Sequence, residues 1–145
     1  MSVSVKMTNG GGMIFDMLRG FFFGVFNKLE KNILNAVSNA LDEERRNIFR
    51  DQIERINLLR RDPNGNETIF YWMKRGKPCR DFPLMFSTGK KEVCLAKVHI
   101  RYYGRTLPAL VMLLDGAIFR IKYSQSVVKF DVMDNFSIED VKIFN

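Results

Sequence analysis

His99 is the only histidine in the chain, and Cys79 and Cys94 are the only cysteines. A metal site or a thiol–imidazole pair needs such side chains converging on one point. Cys94 and His99 fall in one extended run, five residues apart. An odd separation sends two strand side chains to opposite faces. No metal site and no thiol nucleophile is therefore expected, and both cysteines read as small hydrophobes. Asp42-Glu43-Glu44, Asp131/Asp134 and Glu139-Asp140 are the carboxylate groupings that could do acid–base work. The first suits the positive end of a helix. The others have no basic or aromatic pocket in view. Gly10-Gly11-Gly12 is not a phosphate loop, because no strand precedes it and no Gly-Lys-Ser/Thr follows. The sequence nominates no catalytic residue, no metal and no cofactor, and a non-enzymatic role is the better supported class.

Positive charge is the stronger chemical signal. The net charge is +7, from 23 Lys and Arg against 16 Asp and Glu. Residues 67–130 hold 12 basic and 4 acidic side chains, and residues 131–145 hold 1 basic and 4 acidic. The excess therefore belongs to the middle of the chain. Lys74-Arg75-Gly76-Lys77-Pro78-Cys79-Arg80 is its densest cluster, and Lys90-Lys91 closes the same connection. Lys97 and Arg101 share a strand face with His99, and Arg120 and Lys122 share a face of another strand. Whether the two groups join depends on the turn at Tyr103-Gly104-Arg105. A three-residue loop is expected there, because it sets Lys97 and Arg101 on the Arg120/Lys122 side and Ala96, Val98 and Ile100 on the other. Lys74, Arg75, Lys77, Arg80, Lys97, Arg101, Arg120 and Lys122 are thus the candidate anion-binding residues. The competing account is a solvated face with edge-protecting lysines.

The apolar run Met13–Phe26 is the second signal. Its hydrophobic residues surround a helix and leave no polar side. It is too short for a bilayer span, at 14 residues including Asp16 and Arg19. Burial within the fold, a second protomer, another protein or a membrane surface could cover it. Phe21, Phe22, Phe23 and Phe26 are the candidate interface, and a homo-oligomer or a protein partner is favoured over a membrane surface.

These residues need elements to hold them. Residues 1–12 read as a flexible leader, and 13–145 as one domain of ordinary apolar content. Residues 13–61 contain no proline and read as helical. Leu29, Ile33, Ala36, Val37 and Ala40 share one stripe, whereas Phe49, Ile53 and Ile56 centre on another. A break is therefore expected near Leu41–Glu43, with Asp42 as N-cap and a second helix ending near Arg60-Arg61. Glu67–Lys74 reads as a strand, Arg75–Lys91 as a long connection, and Glu92–Ser124 as three strands. Asp115-Gly116 makes the second of their turns, since Asp-Gly between apolar runs marks a type I′ hairpin. Val127–Met133 is a candidate fifth strand. Asp134–Asn145 stays open between a helical turn and a short edge strand at Val141–Phe144.

The fold class is α+β: N-terminal helices packed on one face of a four- to five-stranded antiparallel meander sheet. In element order this resembles cystatin-like and nuclear-transport-factor-like cones, a likeness that implies no function. The leading functional expectation is a non-catalytic binding or interaction module, oligomeric or partner-binding through the Phe-rich helix. One alternative is a nucleic-acid-binding protein using the basic loop and a cationic sheet face. Another is a cone-like ligand carrier or enzyme, its pocket lined by Tyr71, Trp72, Tyr102 and Tyr123. Two cysteines are too few for a disulfide scaffold and suit a reducing, cytoplasmic setting.

Overall fold

Asp115 and Gly116 take left-handed φ angles of +51° and +82°, and Leu114 and Ala117 pair directly across them. The two-residue turn that Asp-Gly specifies is therefore present. It belongs to a computed structural model that describes residues 3–6, 25–128 and 135–145, with backbone pairing alone for 3–6.

The described elements are β1 (Val3–Lys6), α1 (Lys28–Ala40), α2 (Glu43–Arg55), β2 (Leu58–Arg61), β3 (Glu67–Lys74), β4 (Lys77–Cys79), β5 (Glu92–Tyr102), β6 (Arg105–Leu114), β7 (Ala117–Tyr123) and β8 (Phe136–Ile143). The sheet runs β1-β8-β5-β6-β7-β3-β2, all antiparallel, with β4 paired to β3. This is an α+β protein whose sheet holds more strands than the four or five expected. Val3–Lys6, placed in a leader by its small polar residues, is a sheet strand because it finds β8. The other leader residues, and residues 13–24 of the apolar run, lie outside the described residues.

The break between the helices falls where the apolar phase changes. Asn27 and Glu30 form a reciprocal capping box on α1, with hydrogen bonds of 2.9 and 2.8 Å. Arg46 closes the other end of α1, donating to the carbonyls of Ser38 and Leu41. Asp42 caps α2: its carboxylate accepts from the Arg45 backbone N–H at 2.9 Å and from Arg45 Nε at 2.6 Å. These bonds, the backbone one foremost, hold the Asp42 carboxyl below the usual carboxylate range. A lowered folded-state value means a contribution present above the unfolded value and lost as acid protonates the folded-state carboxylate. Asp42→Ala should therefore lower the melting temperature at neutral pH, and the gap to the parent should close in strong acid. Equal melting temperatures at pH 7 would remove the cap from the account.

The second helix ends at Arg55, short of the expected Arg60-Arg61. Leu58–Arg61 instead pairs with Thr68–Tyr71 of β3, so Asp62-Pro63-Asn64-Gly65 turns a hairpin rather than stopping a helix. Within the long connection, Lys77–Cys79 doubles back on β3. Val127 and Val128 of the candidate fifth strand are not in a strand, and 129–133 lie outside the described residues. The undecided C-terminal segment forms β8, which lies between β1 and β5 rather than at an edge.

Buried side chains of both helices (Leu29, Ile33, Val37, Phe49, Ile53) share one apolar cluster with Phe70, Val98, Ile100, Val111, Ile121 and Val141. Along β6, buried Leu107, Ala109, Val111 and Leu113 alternate with more exposed Thr106, Pro108, Leu110 and Met112. The second set defines the outer face. Gln52, fully buried on α2, ties three parts together. It donates to the carbonyls of Leu84 and Gly116 and accepts from Ile118 N–H.

Candidate anion-binding surface

Tyr102 pairs with Arg105, so the β5–β6 turn holds two residues, Tyr103 and Gly104, not the three expected. Lys97 therefore faces Leu110, and Leu110 faces Lys122 on its other side. The common face that the three-residue loop was meant to provide exists nonetheless. The reason is a bulge in β7: the register skips Phe119, pairing Leu113 with Ile118 but Met112 with Arg120. One extra residue moves Arg120 and Lys122 to the Leu110/Met112 side. A similar bulge at Leu95 separates the pairs Cys94–Met112 and Ala96–Val111. The odd-separation argument that set Cys94 against His99 does not hold across it.

Several expected cations on this face are already engaged. Arg120 bridges Glu67 at 3.0 Å and Glu92 at 2.5 Å, linking β3, β7 and β5. Arg101 lies 3.7 Å from Glu139. His99 Nδ1 sits 2.5 Å from the Asp140 carboxylate. The face is thus mixed in sign rather than uniformly cationic. Lys97 and Lys122 make no ion pair among the described residues. Lys97 also stands directly opposite Lys142 of β8, a lysine that no local sequence signal places on this face. Lys142, Lys97, Leu110 and Lys122 form one row across four strands.

The basic cluster folds into the β3–β4 hairpin. Arg75 and Gly76 form its turn with φ of +52° and +76°, and Lys74 pairs with Lys77. The ammonium of Lys74 and the guanidinium of Arg55 lie 4.9 and 5.2 Å from the Trp72 ring, and Phe82 packs 5.0 Å from it. Lys74, Arg75 and Lys77 are exposed and have no acidic partner among the described residues. Arg80 behaves differently. It donates to the Leu114 carbonyl at 3.0 Å and lies over Phe119, and burial lowers its pKa. It fastens the connection to the sheet.

Of the remaining chemical candidates, Asp131 and Asp134 lie outside the described residues. Burial pushes the Cys94 thiol up, and Sγ donates to the Ala96 carbonyl at 3.3 Å, so it is a poor nucleophile. A cavity of about 200 Å³ near it is lined by Arg45, Thr88, Leu113 and Phe144 among others. Arg45 is already bound to Asp42 and to the Phe144 carbonyl. Among the described residues no three His, Cys, Asp or Glu side chains are grouped to hold a metal, and no helix is long and apolar enough to cross a membrane. Of the candidate interface, Phe26 is buried in the chain's own core, edge-to-face on Phe70 at 5.6 Å. Phe21, Phe22 and Phe23 lie outside the described residues. Of the candidate pocket aromatics, Tyr123 is buried in the core, whereas Tyr71, Trp72 and Tyr102 are half-buried. Comparisons with family models, with curated proteins and with solved structures return no match to this chain.

Proposed function

We propose that this protein is a non-catalytic binding module that holds a polyanionic partner on its outer sheet face and β3–β4 hairpin. The reading takes both helices to cover the buried face, leaving the other face free. Two cross-strand lysine pairs, Lys74–Lys77 and Lys97–Lys142, carry it. Like charges directly opposite are destabilising in a sheet. Edge protection accounts for single lysines but not for lysines paired with each other, and Lys97 lies on an interior strand. An anionic partner relieves that repulsion. The turn between Lys74 and Lys77 points the same way. Arg75 occupies a left-handed position where Asn, Asp or Gly is preferred, so its charge is kept at a conformational cost.

Retention on heparin at increasing salt tests the reading. Binding should weaken steeply with salt, as expected when counterions are released. Replacing Lys74, Arg75 and Lys77 by alanine should remove part of that dependence, and adding Lys97→Ala and Lys142→Ala should remove most of the rest, with Arg80 left in place because it anchors the connection. Arg75→Asn should separate binding from folding. It should stabilise the turn by about 0.5 kcal/mol while weakening retention. Retention that is indifferent to both salt and these substitutions would sink the proposal.

A further inference from the structure

We infer that the polyanion is a single-stranded nucleic acid, laid along β5 with a base stacked on Tyr103. This rests on the polyanion-binding reading above. Tyr103 is 67% exposed at the tip of the β5–β6 hairpin. Its φ is +45°, a left-handed value unfavourable for a bulky aromatic where Asn, Asp or Gly is the common choice. The ring is also held in place. It meets Tyr102 edge-to-face at 6.2 Å, and Asn135 Nδ2 donates to its hydroxyl at 3.1 Å. A large exposed ring, pre-positioned at a conformational cost, is a stacking platform of the kind that single-stranded nucleic-acid binders use. A duplex offers its bases only at its ends.

Cations continue from this tip. Arg105 flanks the turn and is exposed, on the Leu107 side of β6 rather than on the outer face. Arg101 and Lys97 follow on the outer face of β5, with the lysine pair Lys97–Lys142 at the far end of the run. Lys97 and Arg101 stand two alternations apart, about 13.6 Å, a distance spanned by two phosphate steps of an extended single strand, and His99 between them is held by Asp140. Arg101 holds Glu139 only loosely, at 3.7 Å with its side chain 57% exposed, and can turn to a phosphate.

The test compares fluorescent oligo(dT) and oligo(U) of about a dozen nucleotides with a duplex of equal length, heparin and poly-glutamate. Tighter binding of the single strands than of the duplex is expected. Tyr103→Asn should weaken single-strand binding about tenfold and leave heparin affinity unchanged, with no loss of melting temperature. Tyr103→Phe, which keeps the ring and loses the hydroxyl contact, should bind like the parent. Equal affinity for single strand and duplex, or no effect of Tyr103→Asn, overturns the stacking inference while heparin binding keeps the polyanion reading. Binding to poly-glutamate but not to oligonucleotides overturns it in favour of an acidic protein partner. No binding to any of the five polyanions overturns both.

Discussion

Gly116→Val is expected to lower stability by about 3 kcal/mol or more, a drop of about 10 °C in melting temperature for a domain of this size. Two effects combine. The residue sits at φ +82°, which a β-branched side chain resists. A Cβ there would also overlap the carbonyl oxygen of Phe86. Nothing can yield easily, because that contact is backbone against backbone. Phe86 N–H donates to the Gly116 carbonyl at 2.9 Å, and Gln52 Nε2 donates to the same oxygen at 3.1 Å. The turn is therefore clamped between the 80–91 connection and α2. Gly116→Ala should share most of the loss, since it adds the same Cβ. Asp115→Asn should cost little, because Asn suits that turn position equally well. Urea denaturation of the three variants measures this. A midpoint for Gly116→Val within error of the parent would mean that Phe86 does not lie against the turn.

Arg61→Met should rank next, with a loss of about 3 kcal/mol. The carboxylate of Glu30 is 1% exposed and lies inside the core rim. It accepts from Asn27 N–H, from Thr68 Oγ1, and from Arg61 through both Nε and Nη2. Arg61 supplies the only positive charge among these donors, and it also donates to the Val25 carbonyl. Without it a buried carboxylate keeps two neutral donors and no counter-charge among the described residues. The low end of the range for broken buried pairs applies, because the Arg61 side chain is 43% exposed and water can follow it in. Adding Glu30→Gln to the Arg61→Met variant should restore part of the loss, since the amide needs no counter-charge. Additive losses in that double-mutant cycle would show that the pair is not coupled. The pair also explains why two arginines read as a helix end belong to a strand. Arg61 lies across from Thr68, and both point to Glu30 at the start of α1.

Local chemistry was legible in the chain. Asp115-Gly116 fixed its turn, because two left-handed residues admit few sequences. The phase change between Val37 and Phe49 placed the helix break, since a straight helix cannot keep both stripes on one core. Asp42 read correctly as a cap, because the bond it makes spans three residues. The β3 strand and the three-strand meander followed from alternation. The density of charge at Lys74–Arg80 was likewise plain from composition.

Parity and partnership were not legible. Strand side chains alternate with period two, so one extra residue reverses a face. The bulges at Leu95 and Phe119, and a third register shift between His99 and Ile100 against β8, carry no local marker. The one at Phe119 puts Lys122 on the Lys97 face, across a β5–β6 turn of two residues rather than the three expected. Whether a cation is free is also a long-range fact. Arg120 and Arg101 meet carboxylates from other strands, and Arg80 meets a backbone carbonyl 34 positions away, whereas Lys97 stands opposite Lys142, whose ammonium lies over the Phe144 ring. Composition supplied the charges, and pairing through the sheet decided which of them stand without a carboxylate partner among the described residues.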